Sequence, residues 1–489
     1  MAIKPKLSER AAERNMAEIE PAYRPQEATI EADRCLYCFD APCIHSCPTG
    51  IDIPGFIKKI ANDNLTGAAR TILRANVLGA SCARVCPTEV LCEGACVLLD
   101  RDETPIKIGR LQRYATDHAY ESALPLLHAP AKKSGKRVAI IGGGPAGLSC
   151  AAELAQLGHE AVIYERHHKA GGLNTYGIAY YKMKPSVALA EVRLVQSLGV
   201  EILTDTEVGK DVPGDEIMNC YDAVFLAIGL GATYSLGIPG EDLPGVVEAL
   251  AFIEELRMNP LDEVAVGDHV AVIGCGNTAI DAATQAKRLG AKRVTIVYRR
   301  GPEDMPAFEY EYELAKSDGV EFLFHTQPVE ALGTKSRGLE GLRLVRTEPD
   351  LNGRPHNVAG SEFDVPFDMV IKALGQQKLG ETIAKIFPGV TIDRRGAIER
   401  DFATGITKHG NIYAGGDAAN GGSEVVDAVA EGKRAAAAIH VSFTDEAPEK
   451  LVQTTRLGAP DGATGAGIDK PVRVVELERA FRAGDKSHG

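Results

Sequence analysis

The sequence has no tryptophan, and only 6% of its residues are aromatic. That argues against a surface that holds bases or sugars by stacking. Positive charge is also scarce: 54 Lys and Arg stand against 67 Asp and Glu, a formal net charge of −13. Broad phosphate-backbone binding, and with it nucleic acid as a partner, is not expected. Long apolar runs are missing too. The longest, Val138 to Leu157, is broken by glycines, Glu153 and Gln156, so no segment reads as membrane-spanning. The opening MAIKPKLSERAAERN lacks the apolar core of a secretory signal, and the expected location is cytoplasmic.

What is present exceeds one ordinary core: 489 residues, 45% of them hydrophobic and 25% charged. Eleven cysteines without a secretory signal point to metal ligation or redox work before disulfides. Eight of them lie between Cys35 and Cys96. The first block reads Cys35-x2-Cys38-x4-Cys43-x3-Cys47-Pro48, and the second Cys82-x3-Cys86-Pro87-x4-Cys92-x3-Cys96. Close spacing lets one loop wrap a cubane, and a cysteine before proline sends its thiolate to the other cluster. Cys47 and Cys86 are thus expected apart from Cys35, Cys38 and Cys43. Structural zinc is the alternative, but only one CxxC occurs and His45 is the sole histidine of the region.

From Arg137 the pattern becomes alternating buried strands and helices. VAIIG (138–142) enters a glycine turn with Gly142, Gly144, Pro145, Ala146 and Gly147, followed by a helix and AVIYE, which ends on Glu165. Such a turn brings the backbone and a helix N-terminus to a pyrophosphate, with the acid on a ribose. HVAVIG (269–274) repeats the theme with Gly274, Gly276, Asn277, Thr278 and Ala279. Its next strand ends on Arg299 and Arg300, where an NAD-selective site carries an acid, so the pair leans toward a 2′-phosphate; NADH stays open. For the first turn, Gly171-Gly172-Leu173 and the segment 412–436, with Gly416 and Asp417, resemble the flavin motifs of two-dinucleotide flavoproteins and select FAD. No CxxxxC follows Gly172, which removes a redox-active disulfide and leaves the clusters as the exit for electrons. Hydride transfer to a flavin needs no protein acid or base, so no catalytic side chain is nominated.

The expected fold class is α/β. A helical N-terminal iron–sulfur domain (1–123) with two [4Fe-4S] clusters is followed by a linker (124–136) and two Rossmann-like dinucleotide-binding domains. The NAD(P)H domain (246–374) is inserted in an FAD domain (137–245 and 375–440), and a tail covers 441–489.

Over about 30–440 the chain resembles the FAD- and cluster-bearing half of dihydropyrimidine dehydrogenase and the related small subunit of bacterial glutamate synthase. RCLYCFDAPCIHSCP (34–48), CARVCPTEVLCEGAC (82–96) and the two dinucleotide units carry the resemblance. PIKIGRLQRYA (105–115) leans it toward the pyrimidine enzymes, in which a glutamine matching Gln112 is a cluster ligand where glutamate synthases have glutamate. The resemblance implies one cluster on Cys35, Cys38, Cys43 and Cys96 and another on Cys47, Cys86, Cys92 and Gln112, leaving Cys82 unliganded. It adds flavin contacts at Val85, Lys182, Leu230 and Val425. On the nicotinamide side it supports Asn277, Thr278, Arg299, Arg300 and the Ala373–Gly375 loop, although Pro306 stands where the mammalian-type enzyme has a further arginine. Nothing resembles the FMN-binding barrel, so the implied assembly is a hetero-oligomer with an FMN-containing, pyrimidine-reducing subunit fed by NADPH or NADH.

Overall fold

The computed structural model describes residues 3–122 and 125–444. Contacts group the chain into two compact units, Met1–Ile19, Tyr176–Pro185 and Gly231–Gln377 in one and Glu20–Thr175, Ser186–Leu230 and Lys378–Gly489 in the other.

In chain order the strands are β1 (Arg137–Ile141), β2 (Glu160–Tyr164), β3 (Glu201–Leu203), β4 (Ala223–Leu226), β5 (Val246–Glu248), β6 (His269–Ile273) and β7 (Arg293–Val297). Then come β8 (Glu321–Leu323), β9 (Thr326–Thr334), β10 (Gly338–Pro349), β11 (Pro355–Asn357), β12 (Phe363–Val365), β13 (Met369–Lys372) and β14 (Ile412–Ala414).

The unit holding the cysteines combines a helical layer with a parallel sheet of order β14-β4-β1-β2-β3. Helix Ile53–Ala61 buries Ile53, Phe56, Ile57 and Ile60, a 3.6-residue stripe that needs a covering partner. Its core continues through helix Ile108–Glu121, where Ile108, Leu111 and Ala115 repeat the same spacing. In the sheet, β1 and β4 are buried on both faces, as a parallel sheet between helices requires. Helix Val425–Thr444 lies against helix Pro145–Gln156, close enough that a Cβ on Gly432 would stand 2.2 Å from the Ala146 carbonyl oxygen.

The other unit repeats the design with order β5-β13-β6-β7-β8. An antiparallel sheet of β9, β10, β11 and β12 is inserted between β8 and β13. The two runs that enter and leave this unit pair with each other, Gly231 N to Gln377 O at 2.8 Å and Tyr234 N to Gly375 O at 3.1 Å.

Three borders fall away from the expected ones. Met1–Ile19, expected with the cysteine helices, groups with the second sheet, where Ala12 and Met16 enter the core and Lys6 pairs with Asp268 at 2.5 Å. The crossing into that unit is at 230 instead of 245, because Leu236 and Leu243 pack against β9 and β10. Residues 441–444 continue a helix, and the rest of the expected tail lies outside the described residues. Among the described residues no helix is long and apolar enough to cross a membrane.

Candidate functional site

Two small cavities sort the cysteines. One is lined by Cys35, Cys38, Cys43 and Cys96, with Ile53, Ile57 and Ile108 behind them. The other is lined by Cys47, Cys82, Cys86, Cys92 and Gln112. The sorting follows from local geometry. The turn at Pro48 ends the first wrap, and helix Gly79–Val85 delivers Cys86 at its C-terminal end.

Both walls are dry. Burial first, and then the neighbouring Cys35, Cys96 and Cys38, push the Cys43 thiol up to about 12. Cys86 is raised by its hydrogen bond with Cys82 and by burial, and Cys92 by burial and by Cys47. Thiols so placed become thiolates only around a compensating cation, so the donor set fits a bound metal group. His45 pairs with Asp40 at 2.7 Å and lines neither cavity.

Gln112 is buried, and its Nε2 donates to the Gly79 carbonyl at 2.7 Å. That bond engages the nitrogen and leaves the amide oxygen available as an acceptor. Cys82, expected to be unliganded, lines the same cavity as Gln112.

The first glycine turn is built by close approach. Gly142 has φ +106°, and a Cβ there would sit 2.4 Å from the Ala227 carbonyl oxygen; one on Gly147 would sit 2.0 Å from the Gly142 carbonyl oxygen. A Cβ on Gly172, at φ +54°, would stand 2.8 Å from the Gly144 Cα. Pro145 and Ala146 begin the helix whose amides face the turn. Glu165 is buried at the end of β2, where its carboxylate accepts from Gly143 N and His167 N, each at 2.8 Å. Leu173 opens a short helix after Gly172, and Val85 ends the helix before Cys86. Leu230 lies 3.6 Å from where a Cβ on Gly422 would stand.

After β14 the chain turns through Gly416, at φ +67°, into Asp417. Burial raises the Asp417 carboxyl, and the Ser423 amide at 3.2 Å opposes that shift. Sequence reasoning missed the residue that sets this turn. Glu431 accepts from Gly416 N at 2.6 Å and pairs with Arg400 at 2.6 Å, both partners nearly buried. It also missed Val426, which follows Val425 at the start of helix Val425–Thr444 and lines the Cys86 cavity. One helix start therefore serves both the flavin motif and a cluster wall.

The second turn opens onto a cavity of about 570 Å³. Gly274, Gly276, Thr278, Arg299, Ala373 and Gly375 line it, together with Pro306. Asn277 and Arg300 do not. The Asn277 side chain instead accepts from Phe308 N at 3.1 Å, and Arg300 leaves its buried Nε without an acceptor.

Lys182, expected at the flavin, groups with this second unit, its ammonium between Asp281 at 2.8 Å and Glu311 at 2.5 Å. Tyr181 donates to the same Asp281 at 2.9 Å. Burial works against the Lys182 charge, and the two carboxylates outweigh it and hold the group above its ordinary value. Burial and the Asp281 charge raise Glu311 to about 7, and its Oε2 is buried without a partner. The folded chain thus binds a proton that the unfolded chain releases near 4.5. This group's contribution to stability is expected to fall as pH rises from about 4.5 to 7. Glu311→Gln should flatten that slope, read as Tm against pH, by a few degrees. An equal slope in the variant would place the proton elsewhere.

A family model for the dihydropyrimidine dehydrogenase domain II with its 4Fe-4S cluster matches residues 12–124. A second, for pyridine nucleotide-disulphide oxidoreductases, matches residues 136–432. The glutamate synthase [NADPH] small chain of Halomonas elongata is 38% identical over 442 residues, covering 86% of this chain and 92% of its own. The NAD-dependent dihydropyrimidine dehydrogenase subunit PreT of Escherichia coli O157:H7 is 35% identical over 423 residues, covering 86% and 96%. Among solved structures, Mycobacterium tuberculosis FprA in complex with NADPH aligns with a TM-score of 0.52 at 23% identity, over 65% of this chain and 88% of its own, a likeness of fold.

Proposed function

Because the chain belongs to the pyridine nucleotide-disulphide oxidoreductases and carries a 4Fe-4S domain of the dihydropyrimidine dehydrogenase type before that fold, we propose that it is the electron-input subunit of a dihydropyrimidine dehydrogenase. It is an NAD(P)H-dependent electron-transfer oxidoreductase with FAD and 4Fe-4S clusters as its cofactors. The acceptor in our reading is a partner subunit carrying FMN, which reduces uracil or thymine to the 5,6-dihydropyrimidine. FAD, which the Gly142–Gly147 turn, Gly172 and the Gly416–Asp417 turn would hold, would supply hydride acceptance from the reduced nicotinamide and single-electron release toward the clusters.

The chain's own residues divide the work. The Gly142–Gly147 and Gly274–Thr278 turns hold pyrophosphates against helix N-termini. Glu431 fixes the Gly416–Asp417 turn. Val426, at the helix start within the flavin motif, lines the Cys47, Cys86, Cys92 and Gln112 cavity, so a cluster held there would be the first station after the flavin, with one in the Cys35, Cys38, Cys43 and Cys96 cavity beyond it.

The observation that carries the pyrimidine reading is Gln112, whose fixed amide lines the cluster cavity. A second reading, the glutamate synthase small subunit, is favoured by the higher identity, 38% against 35%. Capture of the native partner separates them. An FMN-containing subunit and NAD(P)H-dependent loss of uracil are expected; a large amidotransferase subunit, with glutamate formed and uracil untouched, would overturn the proposal.

A further inference from the structure

A site that selects NADH places a carboxylate on the adenosine ribose. Here no Asp or Glu is among the residues lining the 570 Å³ cavity of the second unit, and Arg299 is. The chain ends of β7 and β8 run side by side at this point: His325 N donates to Arg300 O and Thr326 N to Tyr298 O, each at 3.0 Å. The inserted antiparallel sheet then reaches the same place. On β10, Thr347 Oγ1 donates to the Arg299 carbonyl at 2.8 Å. Its neighbour Arg346 sends Nη1 to Thr326 Oγ1, on the cavity wall, at 3.0 Å. The Arg346 guanidinium is held over the Phe363 ring, 4.9 Å from its centroid.

Arg299, Arg300 and Arg346 share one further property: among the described residues none pairs with a carboxylate. The contrast is on the same strand, where Arg343 pairs with Glu330 at 2.6 Å and Asp364 at 2.9 Å. In a chain of net charge −13, two unneutralised arginines at this cavity, Arg299 on its wall and Arg346 bonded to the wall residue Thr326, form a local excess of positive charge. Arg346 uses one of its five N–H donors on Thr326, so a pre-positioned fork remains for a phosphate.

We propose that Arg346 of the inserted sheet joins Arg299 on the 2′-phosphate of the adenosine, making the second unit selective for NADPH over NADH. This rests on the reading of the cavity as the nicotinamide dinucleotide site. Thr347 is a positioning residue that fixes the Arg299 backbone.

The test is the ratio of kcat/KM for NADPH to that for NADH, measured on the flavin- and cluster-loaded protein with a dye acceptor. Calorimetric binding of 2′,5′-ADP and 5′-ADP to the same protein accompanies it. Arg346→Ala is expected to lower the ratio about tenfold and to weaken 2′,5′-ADP relative to 5′-ADP by a similar factor. Arg346→Lys should restore part of both. A ratio within about twofold of wild type in Arg346→Ala, with Arg299→Ala lowering it, would overturn the role of Arg346 alone. Failure of the underlying reading looks different: wild-type protein that binds neither ADP while turning over a nicotinamide dinucleotide would place the substrate outside this cavity.

Discussion

Replacing Cys86 with alanine is expected to remove one cluster and to stop electrons beyond the flavin. Its thiol lines the cavity shared by Cys47, Cys92 and Gln112, and Val426 joins that wall to the flavin motif. Changes around metal ligands already cost roughly 10–100-fold, so loss of a ligand at the first station should cost more than about 100-fold in delivery to a partner. Flavin bleaching by NADPH or NADH under anaerobic conditions should persist, because the glycine turns are untouched. Iron analysis and EPR of the reduced protein read the first effect, stopped-flow absorbance the second. The same spectra decide the neighbouring residues. Cys82→Ala should keep both signals, and Gln112→Ala should alter one of them. Loss of a cluster in Cys82→Ala beside a normal Gln112→Ala spectrum would transfer the ligand role to Cys82.

The second large effect is steric. In Gly147→Val the added Cβ would stand 2.0 Å from the Gly142 carbonyl oxygen and 3.2 Å from Ile140, at the point where β1 meets the following helix. Neither neighbour can yield, because Gly142 is itself clamped against Ala227 and helix Val425–Thr444 closes the other side. Overpacking of this kind costs about 1–3 kcal/mol or more, and it moves the helix N-terminus that binds the pyrophosphate. The variant is expected to purify without flavin and with NAD(P)H oxidation below about 1% of wild type, the loss of a pre-positioned anion site being worth several factors of ten. Gly199→Ala is the control. Gly199 also has positive φ, +87°, but nothing lies within 4 Å of its would-be Cβ, so that variant bears strain without collision and should retain FAD. A flavin-loaded, active Gly147→Val would mean that the turn tolerates displacement and that the first glycine motif is not the pyrophosphate cradle.

How far the sequence could be read depended on how far apart the interacting residues lie. The cysteine spacings, the Gly142–Gly147 and Gly274–Ala279 turns and the buried strands β1, β4, β6 and β13 are local patterns, each determined by neighbours within about one helix or loop, and they specify the elements and the chemistry. Tertiary structure decided what distant residues do. Residues 3–19 contain the short helix Glu9–Asn15, and their placement on the second sheet came from a core about 250 residues away. Lys182 found Asp281 and Glu311, Gly416 found Glu431, and Arg346 reached Thr326, through side chains that carry no spacing signal. Buried polar groups must be matched by whatever the fold brings to them, and only the packed chain determines which groups those are.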